Sequence, residues 1–384
     1  MRKDWQYKKL GDISSSLLIE KAKKRFSPND VIRYIDISSI DNINQRLIGT
    51  TSFKMLDAPS RAQQKVEYGD ILISTVRPNL RNIAIVNDDA SNLVASSGFC
   101  VLRINDAALR RYIFYYVVSN KFTAYLEKLT NGANYPAVKE TDVRKAFIPI
   151  PPKSTQLSIV SELDKLNELI RIKKEQLKDY DSLAQSIFYE MFGDPVEEGW
   201  DVKELGDICK TSSGGTPSKA HTEYYNGEIM WLRSGEVSQG DIYNTEQTIT
   251  LLGLENSSAK IFPVNTVVIA MYGATVGQVG ILRKEMSTNQ AICGIFPNGD
   301  MTPEYLYYFL ISKKAEFLKS AIGGAQANIS QQIIRKTLIP LPPLSLQSSF
   351  TCKIRQIKLQ KAAVQSTITD LETLLAARMQ YWFD

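Results

Sequence analysis

The 384-residue chain has little of the chemistry from which most enzyme sites are built. Its single histidine excludes a duplicated His site, and its four cysteines are too scattered for a structural zinc site. It contains neither a G-x-x-x-x-G-K-[ST] phosphate loop nor the Asn/Asp-Pro-Pro-aromatic tetrapeptide of amino-methyltransferases. No stretch approaches the roughly 20 apolar residues of a membrane span, and the start lacks the apolar run of a signal peptide. We therefore expect a cytoplasmic binding protein that is not an enzyme and contacts no membrane.

What the chain does have is an internal duplication. Two motifs each occur twice: Trp5 with Leu10-Gly11-Asp12-Ile13 returns 195 residues later as Trp200 with Leu205-Gly206-Asp207-Ile208, and Ile148–Pro152 returns 191 residues later as Ile339–Pro343. A period of this length is far too long for a solenoid and indicates a duplicated domain. A duplicated domain in turn suggests a target with two related parts.

Positive charge is concentrated in the first copy. Residues 1–152 carry 23 Lys and Arg against 15 Asp and Glu, a net +8, whereas residues 195–343 carry 12 against 15, a net −3. The first copy therefore has the bulk charge of a polyanion-binding domain. If the second copy binds DNA, it must use local basic clusters, and solvated surface charge is the alternative reading of each. These clusters are Arg283-Lys284, Lys313-Lys314 with Lys319, and Arg335-Lys336.

Each copy is predicted to begin with a β-rich globular part. Short β-branched runs between Gly, Asn and Asp residues predict strands. They are Val31–Ile37, Ile71–Val76, Ile83–Val86 and Cys100–Ile104 in the first copy and Val267–Met271 and Val279–Leu282 in the second. An aromatic-rich helix follows in each, over about Leu109–Leu129 and Pro303–Ala321. Because strands and helices do not alternate regularly, the pattern indicates an α+β fold.

Two long helices are predicted after the proline-rich junctions, which should act as stiff connectors rather than as ligands for a proline-binding module. Gln156–Phe192 and Leu346–Phe383 contain neither Pro nor Gly, and their apolar residues recur every three or four positions. Such spacing predicts a coiled-coil seam. The seam residues are Leu163, Leu166, Ile170, Leu177, Tyr180, Ala184, Ile187 and Met191, and then Phe350, Ile354, Ile357, Val364, Ile368, Leu371, Leu375 and Trp382. Two amphipathic helices, each lying on its own domain, are the alternative.

The predicted architecture follows from the duplication and the helices. We expect an α+β chain with two β-rich mixed domains in a pseudo-two-fold tandem repeat, separated by two long helices that form an antiparallel coiled coil. The predicted globular domains cover residues 1–152 and 195–343. The predicted helical spacers cover residues 153–194 and 344–384.

These motifs together resemble the specificity subunit of a type I restriction-modification system, over essentially the whole chain. The resemblance rests on the paired openings, on the proline junctions leading to Gln156 and Gln347, and on the aromatic helix ends 191–194 and 382–384. Gly214-Gly215-Thr216-Pro217, with Tyr224-Tyr225-Asn226-Gly227 and Trp231 downstream, is similar to a target-recognition-domain signature. The first copy lacks it and has Lys23-Lys24-Arg25-Phe26 instead. Taken alone, the glycine pair either cradles a phosphate through N–H groups or forms a plain turn.

The resemblance implies recognition without catalysis. Residues 1–152 and 195–343 would be target recognition domains, each reading one half of a bipartite site on double-stranded DNA. The helical rod would set the gap between the halves and dock two methyltransferase subunits, which restriction/translocase subunits would join. Those partners would bring S-adenosylmethionine, ATP and magnesium, and this chain would bind no cofactor and no metal.

Candidate base-reading residues come from comparing the two copies, because segments that differ between matched flanks are candidate reading loops. Arg commonly reads guanine, and Asn or Gln commonly reads adenine. The candidates are Arg77, Asn79, Arg81, Asn134 and Tyr135 in the first copy, and Tyr272, Thr275, Gln326, Asn328 and Gln331 in the second. A surface loop or a helix cap is the alternative reading for each of them.

Two other functions remain open at this point. A non-catalytic coiled-coil adaptor could present two ligand-binding domains to protein or sugar partners. An enzyme with a new kind of site would show turnover on DNA by the purified chain alone. Failure to retain DNA at low salt, with a methyltransferase present, would favour the adaptor.

Overall fold

The computed structural model describes residues 5–14, 19–130, 136–193, 199–320 and 328–383. The chain divides into two compact units. Unit 1 comprises Met1–Lys174 together with Ser366–Asp384, and unit 2 comprises Glu175–Gln365. In the described residues, no helix has the length and apolar character needed to cross a bilayer.

Unit 1 combines short strands with short helices. Its strands are β1 Gln6–Lys9, β2 Val31–Ile35, β3 Ile40–Asp41, β4 Arg46–Leu47, β5 Thr51–Lys54, β6 Ala62–Lys65, β7 Ile71–Ser74, β8 Ile83–Ile85, β9 Leu93–Ser96, β10 Phe99–Leu102 and β11 Phe147–Ile150. Its helices are α1 Leu10–Ile13, α2 Ala22–Arg25, α3 Ala107–Val117, α4 Asn120–Glu127 and α5 Glu140–Lys145, with 3-10 turns at Ile37–Ser39 and Pro78–Leu80. The long helix α6, Lys153–Phe192, begins in this unit.

Unit 2 follows the same plan with additional strands. Its strands are β12 Val202–Glu204, β13 Lys210–Ser213, β14 Tyr225–Leu232, β15 Asp241–Ile242, β16 Gln247–Ile249, β17 Ile261–Phe262, β18 Val267–Ala270, β19 Val279–Leu282, β20 Met286–Thr288, β21 Ile292–Phe296 and β22 Leu338–Pro340. Its helices are α7 Leu205–Ile208, α8 Leu251–Glu255, α9 Pro303–Ser312, α10 Lys314–Ser320, α11 Gln331–Arg335 and the start of α12 Leu344–Phe383, with 3-10 turns at Thr222–Tyr224, Ser234–Gln239 and Gly273–Thr275.

Two sheets in each unit carry the shared plan. In unit 1 the strand orders are β10-β7-β8 and β5-β2-β9-β6, and in unit 2 they are β13-β21-β18-β19-β15 and β16-β14-β20-β17. The second sheet of each unit contains one parallel pair, β2 with β9 and β14 with β20, among antiparallel neighbours. These mixed sheets, with helices grouped outside them, confirm the predicted α+β class.

A central strand in each unit separates two hydrophobic cores. All four residues of β7 are buried, and alternate side chains point to opposite faces, so Ile71 and Ile73 join the helix-side core while Leu72 joins the core between the sheets. In unit 2, β18 does the same with Val267 and Ile269 on one face and Val268 on the other. Burial on both faces explains why these strands are continuous apolar runs.

The repeated Leu-Gly-Asp-Ile motif forms a one-turn helix, α1 or α7. The buried leucine donates its N–H to a carbonyl at the end of the neighbouring helix, from Leu10 to Ala146 at 2.9 Å and from Leu205 to Thr337 at 2.9 Å. A Cβ on Gly206 would lie 2.8 Å from Cβ of Arg335, so the following helix packs too close for any other residue. The matched arginines recognised in the repeat are thus packing partners of the motif.

The proline junctions are held by the same hydrogen bonds in both units. Tyr112 Oη donates to the Pro149 carbonyl at 2.7 Å, and Tyr305 Oη donates to the Pro340 carbonyl at 2.7 Å. The glutamines that follow are buried, and their Nε2 atoms donate to Pro151 O at 2.8 Å and Pro342 O at 2.9 Å. The junctions are therefore fixed connectors, as the prolines predicted.

The aromatic helices are each shorter than predicted. The stretch 109–129 splits into α3 and α4 because Ser119 caps the second helix, its Oγ accepting from the N–H of Phe122 at 3.3 Å. In the same way, α9 ends at Ser312 and α10 begins at Lys314. A capping serine inside an apolar pattern starts a new helix, and periodicity alone does not reveal that break.

The long helices are confirmed, and their segments pair antiparallel within each unit. In unit 1, Glu162 near the start of α6 contacts Arg378 near the end of α12, while Lys174 Nζ lies 2.7 Å from Glu372 Oε1. In unit 2, Asp181 pairs with Lys361. Every predicted seam residue is buried or half-buried. Lys361 and Arg378, where the apolar pattern breaks, form ion pairs between the helices.

Tyr112→Phe should lower the free energy of unfolding of unit 1 by about 1–3 kcal/mol, because the Pro149 carbonyl loses a buried hydrogen bond. Tyr305→Phe should cost unit 2 a similar amount. Urea denaturation followed by circular dichroism measures both. The exposed Tyr68→Phe is the control, with an expected change within about 0.5 kcal/mol. Equal midpoints for all three variants would contradict the assigned role of the tyrosines.

Candidate nucleic-acid interface

In unit 1 the candidate reading loop follows β7. Arg77 and Arg81 both have left-handed backbones, with φ of 50° and 51°, and they flank the 3-10 turn Pro78–Leu80. Such a conformation costs a residue with a Cβ about 1 kcal/mol, so the surrounding structure must impose it. Arg77 and Asn79 are exposed and Arg81 is half-buried. Strained, exposed, basic residues on a fixed loop are typical of a binding site.

The loop is held from three sides. The Arg77 N–H donates to Pro136 O at 2.7 Å, Asn42 Nδ2 donates to Leu80 O at 2.9 Å, and Arg81 Nη2 donates to Asn120 Oδ1 at 2.6 Å. Asn134 and Tyr135, two of the predicted reading residues, lie outside the described residues. Their neighbour Pro136 is nevertheless bonded to Arg77, so the two predicted segments of this copy converge.

The equivalent loop of unit 2 follows β18. Tyr272 forms a β-bridge with Asn328, and Thr275 Oγ1 donates to Tyr272 O at 3.2 Å, so these three predicted residues lie together. Gln326 lies outside the described residues. The side chain of Gln331 is turned to strand β13 instead: its Nε2 donates to Thr211 Oγ1 at 2.7 Å and its Oε1 accepts from Ser213 Oγ at 3.2 Å. Both ends of that amide are therefore already engaged.

The basic clusters of unit 2 are used in different ways. Arg283 is largely buried, with Nε 2.9 Å from Asp241 Oδ1 and Nη2 2.6 Å from Glu304 Oε1. Lys358 adds a second cation to Asp241 at 2.5 Å. Arg283 is thus neither a DNA-binding surface charge nor a solvated one, because it joins α9 to the sheet. Lys313 pairs with Glu316 on the surface at 2.7 Å.

Unit 1 contains a comparable polar cluster beside α6. Arg111 Nε donates to Asp164 Oδ1 at 2.8 Å, and Tyr115 Oη donates to the same oxygen at 2.5 Å. Burial raises the pKa of Tyr115, which keeps its hydroxyl protonated as a donor. The cluster fastens α3 to the long helix and is structural. Within the described ranges, His, Cys, Asp and Glu do not form any group of three that could hold a metal ion.

The phosphate-cradle reading of Gly214–Pro217 is wrong. The N–H of Gly214 donates to Ile292 O at 3.1 Å and that of Gly215 donates to Thr288 O at 2.9 Å, so neither is available to an anion. The glycines are required by packing, since a Cβ on Gly214 would lie 2.1 Å from Thr288 Oγ1. The segment is a fixed wall in the fold. The polar side chains around it escaped the comparison of the two copies, because the first copy has no matching signature.

Comparison with known proteins assigns the family. The sequence model described as "Type I restriction modification DNA specificity domain" matches twice, at residues 2–179 and 197–354. The chain therefore belongs to the family of type I restriction-modification specificity subunits, which confirms the predicted resemblance and the role in DNA specificity.

Relatives match over long stretches. The HindI specificity subunit of Haemophilus influenzae is 23% identical over 98% of both chains, and the EcoR124I/EcoR124II specificity subunit of Escherichia coli is 26% identical over 63% of this chain and 62% of its own. A solved chain from a study of complex assembly and conformational transition of the type I R-M system is 26% identical, covers 100% of this chain and 98% of its own, and superposes with a TM-score of 0.67.

Arg77→Gly separates a structural from a recognition role. Glycine adopts the left-handed backbone freely, so the melting temperature should stay the same or rise. If Arg77 reads a base, discrimination at one target position should fall about tenfold or more. Calorimetry and competition binding with single-base variants of the target test the two halves of this prediction. The exposed Lys8→Ala is the control. An equal loss of affinity for every sequence would make Arg77 a phosphate contact.

Proposed function

We propose that each unit reads one half of a bipartite double-stranded DNA site and that the two long helices set the gap between the halves. The observation that carries this proposal is the pair of DNA specificity domains, one falling on each globular part of the chain. Two reading modules on one chain must match the separation and the helical phase of their half-sites. Uninterrupted helices of 40 residues, α6 and α12, suit a spacer of fixed length.

The unequal charge of the two copies suggests a division of labour. The net +8 of residues 1–152 would supply most of the attraction to phosphates, which weakens with salt. The net −3 of residues 195–343 leaves recognition there to neutral hydrogen-bonding groups and isolated cations. In this proposal unit 1 contributes more affinity and unit 2 contributes chiefly discrimination.

Two methyltransferase subunits are the proposed partners, with restriction/translocase subunits joining them. Support for two copies of one partner comes from equivalent clefts of about 440 Å³ in unit 1 and about 380 Å³ in unit 2. In unit 1 the cleft lies between Tyr115 of α3 and Met379 of α12, and in unit 2 it lies between Tyr308 of α9 and Phe188 of α6. We further propose that this chain works in the cytoplasm without catalysis, its partners bringing S-adenosylmethionine, ATP and magnesium.

Methylation mapping tests the proposed function directly. Cells that lack other methyltransferases would express the chain with its methyltransferase subunit, and methylated positions would be read across the genome. We expect one motif made of two specified halves around an unspecified gap. A motif with one contiguous half, or no retention of DNA by the assembled complex at low salt, would contradict the proposal and favour an adaptor for other ligands.

Shortening both helices by one heptad should shorten the gap. Removing residues 174–180 from α6 and 363–369 from α12 keeps the apolar register and takes out about 10 Å of helix. At about 3.4 Å per base pair, the mapped gap should lose up to about three base pairs. Removing residues 174–180 alone is the control, and it should abolish methylation because the helices fall out of register. An unchanged gap in the double deletion would refute the spacer role.

A further inference from the structure

A polar hollow of about 530 Å³ in unit 2 stands apart from the loops considered above. It is bordered by the Gly214–Pro217 segment and by the strands of the second sheet. Most of its lining consists of hydroxyl and carboxamide side chains. Those that matter here are Thr216, Asn226, Gln247, Thr248, Asn289 and Gln290.

Two aromatic residues fix one wall of this hollow. Trp231 Nε1 donates to Gly215 O at 3.0 Å, and Tyr225 Oη donates to Pro217 O at 2.5 Å. Their rings pack edge to face with centroids 5.9 Å apart. The signature residues noted in the sequence thus build a rigid border, and rigid positioning is what hydrogen-bond discrimination between similar ligands requires.

Several polar groups of the hollow have no partner within the described residues. The carboxamides of Asn226 and Gln247 are exposed at its rim and make no hydrogen bond to the described part of the chain. Asn289 Oδ1 is buried and also lacks a described partner. Buried polar atoms are nearly always paired in folded proteins, so an orphan at the edge of a cavity indicates a place for a ligand. The engaged amide of Gln331 provides the contrast.

The charges around the hollow favour bases over phosphates. Arg233 lines it, but its guanidinium is paired with Glu246 and lies 3.7 Å from Glu236. Lys219 is the remaining cation of the lining and forms no ion pair with the residues described. A site with several carboxamides and one available cation presents donors and acceptors rather than net positive charge. Such groups match the edges of base pairs, and Asn and Gln match adenine best.

We propose that this hollow is the base-reading site of unit 2, in which Asn226 and Gln247 contact the edge of an A·T base pair and Lys219 contacts a neighbouring phosphate. The inference rests on the proposed function and assigns the residues that perform it. It places recognition in unit 2 on the second sheet rather than on the loop at Tyr272.

The test uses the full chain assembled with its methyltransferase subunit. Competition binding with duplexes carrying every single-base change would be measured for Asn226→Ala, Gln247→Ala and Lys219→Ala. The first two should lose about ten- to one-hundredfold discrimination at one A·T position. Lys219→Ala should weaken all sequences by one common factor. Gln332→Ala, which removes an exposed carboxamide on α11, is the matched control and should change nothing.

The half-sites are told apart with Arg77→Gly, which changes the half read by unit 1. The proposal is overturned if the amide variants, folded by calorimetry, keep full discrimination, weaken every sequence equally, or change the half that responds to Arg77→Gly. In each of those results the wild-type complex still reads a bipartite site, so the proposed function survives. A wild-type complex that reads no bipartite site removes both.

Discussion

The contact on which each unit depends is a phenylalanine at the end of a long helix, buried against a tyrosine of the aromatic helix. Phe383 of α12 lies 5.5 Å from Tyr112 in unit 1, and Phe192 of α6 lies 4.8 Å from Tyr305 in unit 2. The same tyrosines bond the proline junctions from which the helices start. One side chain therefore joins the sheets, the connector and the helix tail, and the position of every loop in the unit derives from that joint.

On this common frame the two units differ where recognition is expected. Unit 1 presents arginines on a strained loop and carries the exposed basic helix α2, whereas unit 2 presents carboxamides around a rigid wall. Guanidinium groups and carboxamides prefer different bases, so the two halves of a target need not resemble each other. Duplication preserved the packing residues, because a change there costs stability, and left the surface between them open to variation.

Much of the fold could be predicted from the sequence. The long helices follow from apolar spacing and the absence of Pro and Gly, and the central strands follow from apolar runs that need burial on both faces. The break at Ser119 and the ion pairs of Arg283 could not be predicted, because both depend on contacts with distant segments. The hollow brings together Thr216, Gln247 and Asn289, which are far apart in the chain. No local pattern contains that proximity, and the base-reading assignments of both copies therefore stay predictions.

The division of the chain into units has a consequence for biosynthesis. Unit 2 is one continuous stretch, Glu175–Gln365, whereas unit 1 needs Ser366–Asp384 to complete its core. On the ribosome the later-encoded unit can close as soon as it emerges, while the earlier one waits with its aromatic helix uncovered. The nascent first unit therefore exposes apolar surface for longer and is the part that chaperones would have to protect.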